Sequence, residues 1–298
     1  ARLGVMKDTV AAGIEGWRNL GHAKAALADQ QLTARVPDAT ISATLRLDPG
    51  PRLRFGDLTV KGESDVRLRR IVKIAGLPTG EVYSQEQLDM AATRLRRTGA
   101  FSSVAMLESD QIVAPDKLPI TAQVADAPKR RFGFGAELSS IAGLKVSSYW
   151  LHRNLLGGAE SLRVEGDISG IAGNSGGVDY RLATRFERPA TFNADTNFYA
   201  LAEIEQLDEV NFFSRQLDLE TGIERIASKE RTYSFGIGLR TAQTRDAFGT
   251  NRYTLFTLPL SATHDYRDER LDAKSGYYAK ASLTPFLALS GSANGLRS

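Results

Sequence analysis

The sequence predicts an α+β module of the order βααββ, preceded by part of a second such module and followed by a long antiparallel β meander. Three observations predict it. The phrase Pro-x-x-Arg-Phe-Gly occurs at Pro51 and again at Pro128. A helix-like stretch followed by two strand-like stretches precedes each copy. After Arg131 the apolar period changes from that of a helix to two and stays there. These signals divide the chain into 1–50, a partial module, 51–127, a complete one, and 128–298, the meander.

Elements follow in chain order. Val5, Val10, Ile14, Trp17 and Leu20 stand close to helical spacing, and Gly21 is placed to end that helix. Two strand segments come next, "KAALADQQLTARV" and "TISATLRL". The second module opens with a strand over Phe55 to Val60 and a helix over Val66 to Ile74. A further helix runs from Ser84 to Thr98, with Ser84 and Gln87 as a capping box, Leu88, Ala91, Ala92 and Leu95 as its stripe, and Gly99 as terminator. "FSSVAMLES" and "PITAQVA" supply its last two strands. The 1–50 segment lacks the leading strand and first helix, which reads as the back half of a module. An exposed strand edge in such a small sheet is able to accept an extended peptide.

In the meander, Phe132, Phe134, Ala136 and Leu138 share one strand face. Leu162, Val164 and Ile168 oppose Arg163, Glu165 and Asp167. Val178, Tyr180, Leu182 and Phe186 alternate in the same way, as do Tyr233, Phe235, Ile237 and Leu239. About nine such segments are separated by turn sequences such as "GNSGG", "NADTN" and "DERLDAKSG". A β-sandwich alternates too, because one face meets a core and the other meets water. Two features favour a membrane barrel over it. The segments reach the roughly ten residues a tilted strand needs to cross hydrocarbon. Tyr149, Trp150, Tyr199, Tyr253, Tyr277 and Tyr278 stand near segment ends, where interfacial girdles lie.

Composition narrows the chemistry. The 298 residues are 42% hydrophobic and 24% charged, as expected of a folded protein. Absence of cysteine excludes thiol catalysis, thiolate zinc sites and disulfides. A net charge of +3 is too small for a dedicated nucleic-acid binder. The two Arg-Leu-Arg-Arg runs, Arg67 to Arg70 and Arg94 to Arg97, read first as solvated helix faces, with anionic headgroups or an acidic partner as the other reading. No run of about 18 apolar residues is present, and the Ala1 start is not a signal sequence, so any export signal is expected outside these residues. "GNSGG" matches Gly-x-Ser-x-Gly, but a nucleophile elbow needs a strand, a sharp turn and a helix, and here another alternating strand follows. His22, His152 and His264 show no metal-binding spacing. Neither a catalytic site nor a metal nor a cofactor is expected.

The order of parts carries a resemblance. "GESDVRLRRIVKIAGLPTGEVYSQEQLDMAATRLRRTGAFSSVAM" resembles a POTRA domain, and "RRFGFGAELSSIAGLKVSSYWLHRNLLGGAESLRVEG" resembles the opening barrel strands of the outer-membrane assembly superfamily, also called the bacterial surface antigen family. "DYRDERLDAKSGYYAKASLTPF" is similar to that family's Asp-x-Arg, Leu, Gly-Tyr strand-turn-strand signature. Its Asp265, Arg267, Asp268 and Gly276 are expected to brace a turn, although Ala273 stands where the family usually has proline. The resemblance implies the first part of a transmembrane barrel of about sixteen strands, in a bacterial outer membrane with the POTRA modules in the periplasm. The family's late Arg-Gly-aromatic motif is not found, so the chain is expected to stop mid-barrel. The implied function is insertion or secretion of β-barrel and autotransporter proteins through a lateral seam. In this chain the seam strand is Phe132, Gly133, Phe134, Gly135, Ala136, Glu137 and Leu138, continuing to Ser140. Implied partners are unfolded outer-membrane or autotransporter proteins, outer-membrane lipids, and a periplasmic or inner-membrane-anchored subunit at the modules. A two-partner-type secretion pore and a soluble β-rich binding protein are the alternatives.

Overall fold

The computed structural model describes residues 3–35, 40–174 and 176–297. Val36, which ends the first strand segment, and Ser175 of the Gly-rich string lie outside the described residues. The chain forms two compact units, one extending to Asp126 and one from Ala127 onward, with the short segments Asp65–Arg67 and Thr98–Ala100 grouped with the second.

The first unit begins with α1 (Leu3–Asn19) and the antiparallel pair β1 (Ala26–Arg35) and β2 (Thr40–Asp48). Gly21 ends the helix region at φ +107, and a Cβ there would stand 2.8 Å from Val82. The apolar residues at helical spacing on and just after α1 are largely uncovered: Val5, Trp17 and Leu20 are exposed. Helical spacing reports the shape of an element, and burial depends on what packs against it.

Next come β3 (Arg54–Lys61), α2 (Leu68–Ala75), α3 (Gln85–Arg97), β4 (Phe101–Glu108) and β5 (Lys117–Asp126). The sheet order is β3-β5-β4, with β3 parallel and β4 antiparallel to the central β5. Burial of Leu53, Phe55, Tyr83, Leu88, Leu118 and Ile120 makes its core, which Ala23 from the α1–β1 connection joins. The N-terminus of α3 is capped by Asn19, whose Oδ1 accepts from the Glu86 amide at 3.0 Å and from the Ser84 hydroxyl at 3.3 Å. That replaces the expected Ser84–Gln87 box, a substitution that local spacing does not reveal. Nor are the Arg-Leu-Arg-Arg runs wholly solvated faces. Arg70 and Arg94 are buried, and Arg94 Nη1 donates to the Ala75 and Gly76 carbonyls at 3.1 and 3.2 Å, satisfying the last carbonyls of α2. In the last turn of α1, Arg18 bonds Gln85, the Tyr83 hydroxyl and Glu108, while Tyr83 donates to Glu108 at 2.6 Å. Burial, reinforced by the Glu108 hydrogen bond, raises the Tyr83 pKa well above the usual phenol range.

The second unit is one antiparallel sheet. Its strands are β6 (Arg130–Ser139), β7 (Gly143–Arg153), β8 (Ser161–Ile171), β9 (Asp179–Arg188), β10 (Thr196–Glu209), β11 (Phe212–Ile226) and β12 (Arg231–Asp246), each paired with the next. Then follow β13 (Gly249–Thr257), β14 (Leu260–Asp265), β15 (Tyr278–Ser290) and the short β16 (Gly295–Arg297). β13 and β14 both pair with β12 and with β15, so they are two halves of one rung broken at Leu258 and Pro259. Proline has no N–H for the ladder, yet its carbonyl accepts from the Gly236 amide at 2.9 Å, which keeps the halves in line.

Register assigns the two faces. Phe132, Trp150 and Val164 are mutually opposite across β6, β7 and β8, and Leu219 faces Leu239 and Phe256 across β11, β12 and β13. This apolar face is open: Phe134 is 85% exposed, Leu138 82%, and Ile168, Leu182, Ile204 and Ile237 are also exposed. A sandwich buries that face against a second sheet; the described strands of this unit all belong to one sheet. The opposite face carries the charges. Exposed apolar side chains over every long strand, backed by a polar face, are the pattern of a sheet that faces hydrocarbon on one side.

Candidate functional site

Gly133, Gly135 and Glu137 of β6 point to the polar face, in register with Tyr149, Ser147 and Lys145 of β7. Phe132, Phe134, Ala136 and Leu138 point the other way and are exposed. Among the described residues β6 pairs only with β7, so its outer backbone groups form an edge of the sheet. Ser140 lies just past the end of the strand.

The two glycines have a steric reason. A Cβ on Gly133 would lie within 2.7 Å of Tyr149 Cζ, and one on Gly135 would lie 2.6 Å from Ser147 Oγ. The Tyr149 ring thus lies across the Gly133 backbone. Above it sits the Arg163 guanidinium, 4.2 Å from the ring centroid. Arg131, Gly133, Gly135, Tyr149, Arg163 and Glu165 border a cleft of 550 Å³ on this face.

Charges behind the cleft are paired rather than loose. Arg181 bridges Glu165, Asp167 and Glu203 at 3.0, 3.4 and 2.6 Å, and Arg163 holds Glu165 at 2.7 Å. Farther along the face, Arg240 holds Asp218 at 2.5 Å. Tyr199 donates to Glu220 at 2.6 Å under the Arg185 guanidinium, with its hydroxyl over Gly222 and Gly236. Tyr149 and Tyr199 were expected in an interfacial girdle; the register puts both on the polar face, along with Tyr253 opposite Ala242. Proximity to a strand end does not report parity, and a shift of one residue exchanges the faces.

The apolar face has its own aromatic belt at the strand ends nearest Arg130. Trp150 and His152 lie 5.9 Å apart, as do Phe186 and Phe198 at 6.4 Å. A second group runs Tyr233, His264, Tyr266 and Tyr277, with a 3.2 Å Tyr233–His264 hydrogen bond and stacked Tyr266 and Tyr277 rings. Amphipathic rings of this kind suit the level of lipid headgroups. His22 lies elsewhere, bonded to the Gly50 carbonyl at 2.9 Å. No group of three or more His, Asp or Glu placed to hold a metal occurs among the described residues. In "GNSGG", Gly173 and Gly177 are in the β8–β9 connection, so a strand follows the string and no helix does.

The four signature residues meet in the β14–β15 connection. Arg267 grips Asp265 through two bonds of 2.7 and 2.9 Å, and Arg270 approaches the same carboxylate at 3.4 Å. Asp268 Oδ1 accepts from the amides of Glu269, Lys274 and Ser275. Those amides, Ser275 first, hold its carboxyl below the usual range. Gly276 has φ +90, and a Cβ there would stand 2.7 Å from the Tyr266 carbonyl carbon. Ala273 is exposed and joins none of these bonds.

No protein-family model and no curated protein matches the sequence. Solved structures do. BamA from Haemophilus ducreyi lacking POTRA domains 1-3 has a TM-score of 0.70 at 15% identity, covering 98% of this chain and 59% of that one. CdiB from Escherichia coli has a TM-score of 0.57 at 12% identity, over 98% of this chain and 54% of its own. CdiB from Acinetobacter baumannii has 0.55 at 8% identity, over 91% and 51%. The chain thus spans between half and three fifths of the lengths of these structures. Its fold is thus the one shared by these BamA and CdiB structures.

Proposed function

We propose that this chain is part of an outer-membrane assembly and translocation factor, which inserts or secretes β-barrel or autotransporter proteins through a strand seam at β6. One observation carries the reading: among the described residues β6 is an edge strand whose apolar side chains are exposed on one face and whose other face is kept thin by two glycines. Such an edge offers backbone donors and acceptors to an incoming strand, and its apolar side chains give that strand access from lipid. The work is pairing and release of strands, so the reading is non-enzymatic and needs no cofactor.

Residues 51–127 serve in this reading as a POTRA module on the periplasmic side, and 1–50 as part of another. The βααββ order with a parallel outer strand supports that assignment. The modules receive unfolded substrate or a periplasmic or inner-membrane-anchored subunit. Within the superfamily the sequence most resembles TamA, the outer-membrane subunit of the translocation and assembly module, and then BamA. Outer-membrane lipids flank the apolar face.

A secretion pore on the same scaffold is the second reading, favoured by the fold shared with CdiB. Depletion of the full-length protein separates the two. The assembly reading expects several outer-membrane barrels or autotransporters to fall together, while loss of one dedicated secreted protein, with barrels unchanged, favours the pore.

A further inference from the structure

We infer that Tyr149 is the positioning residue of the seam strand: its ring, seated over Gly133 and under Arg163, holds β6 on β7 while the other edge of β6 exchanges partners. The functional half of this inference rests on the seam reading above; the latch itself rests on geometry alone.

Among the described residues β6 has one hydrogen-bonded neighbour, where β7 through β12 have at least two. It also carries two glycines within its ten residues, and glycine weakens a strand because it loses more backbone freedom and presents no side chain to pack. On these terms alone β6 would fray from β7. What opposes fraying on the polar face is the Tyr149 ring, which fills the place a Gly133 side chain would take. Arg163 covers the outer face of the ring at 4.2 Å, and its own guanidinium is fixed by Glu165 at 2.7 Å. Glu165 is held in turn by Arg181. The chain Gly133, Tyr149, Arg163, Glu165, Arg181 runs from the edge strand to β9 and anchors it to the paired interior of the sheet.

The arrangement recurs away from the edge. Tyr199 places its hydroxyl over Gly222 and Gly236, lies under Arg185 at 4.8 Å and donates to Glu220. There the strands have neighbours on both sides, so the same joint only adds to an already paired sheet. At β6, which among the described residues pairs with β7 alone, the joint acts where side-chain support is needed most. A strand held by one side-chain joint on the polar face keeps its register with β7 while leaving its outer backbone groups unencumbered, which is what a templating edge requires.

Amide hydrogen exchange in the full-length protein, reconstituted in bilayers, tests the latch over Arg130–Ser139. Tyr149→Phe keeps the ring and is expected to exchange as wild type does. Tyr149→Ala removes it, and Gly133→Ala displaces it; each is expected to speed β6 exchange about tenfold, in keeping with the strength of an aromatic contact. Because both changes break one joint, the double variant is expected to be no faster than the faster single. Tyr199→Ala is expected to leave β6 unchanged. Wild-type exchange in Tyr149→Ala, or a double variant whose effect is the product of the singles, overturns the inference. Should Tyr149→Ala fail to assemble, Tyr149→Leu completes the same cycle with Gly133→Ala. The functional half has its own readout: at equal amounts of assembled protein, substrate adducts from a photocrosslinker at Glu137 fall in Tyr149→Ala and return in Tyr149→Phe, and an unchanged yield in Tyr149→Ala overturns that half. Absence of substrate adducts in the wild type, with the exchange result intact, removes the seam reading and leaves the latch.

Discussion

Arg181 sits where three carboxylates converge, and its guanidinium is what makes their proximity tolerable. Arg181→Ala leaves Glu165, Asp167 and Glu203 facing one another across three strands. We expect a loss of about 1–3 kcal/mol, read as a lower temperature for loss of the heat-resistant folded band, with Arg181→Lys recovering only part because an ammonium does not bridge as a fork does. Asp268 gives a pH prediction. Its carboxyl is depressed by the amides it accepts from, so its contribution is complete above the unfolded carboxylate pKa, near 4, and is lost as pH falls through the lower folded value. Proteolytic protection of the β14–β15 loop should therefore be level at pH 5 to 8 and drop only below about pH 4. Asp268→Asn, which keeps shape but loses charge, should be less protected at pH 7 and show a smaller acid-dependent drop, the remainder coming from the Asp265–Arg267 ion pair in the same turn. Ala273, Ser275 and the rest of that loop were readable as a turn, while the three-amide cradle around one Asp oxygen depends on how the chain curls back and has no linear signature.

At the scale of elements, burial corrects what periodicity proposes. The stripe on α3 is buried as its spacing requires: Leu88, Ala91, Ala92 and Leu95 are all covered, and Leu88 joins the core with Phe55, Leu118 and Ile120. The stripe on α1 is not, and the charged run at the end of α3 turns one arginine inward as a cap for α2. Arg94→Ala removes donors from two carbonyls at the buried end of α2, and we expect about 2–3 kcal/mol of destabilisation, measured by denaturant unfolding of the isolated 1–127 fragment if it folds, or by local hydrogen exchange over Leu68–Ala75 in the full-length protein. The meander shows the same division. Alternation located β6, β8, β9 and β12 because each presents at least three apolar residues to one side at a period of two. Alternation did not tell which tyrosines lie over glycines on the polar face, because that needs the register between neighbouring strands. Nor did it reveal that Pro259 divides one rung into β13 and β14.

For the whole molecule, the decisive feature is an apolar sheet face with nothing among the described residues to cover it. Chain lacks cysteine, so single-cysteine labels report cleanly. Spin labels at Leu182 and Ile237 in reconstituted full-length protein should be reached by oxygen and shielded from a polar nickel complex, and labels at Glu203 and Asp218 should show the reverse; the opposite pattern removes the hydrocarbon-facing assignment. The mixed character of the chain was legible from the repeated phrase and the change of period, because both are properties of linear order. The seam assigned to β6 comes from resemblance and is not marked in the residues themselves, since nothing in ten alternating residues distinguishes an edge strand from a central one.

Photocrosslinking from Glu137 in the full-length protein, in its native envelope, tests the central claim most directly. The account predicts adducts with newly exported barrel proteins or autotransporters, formed through the β6 edge. Adducts only with the protein's own strands, under conditions where such substrates are being made, would contradict it.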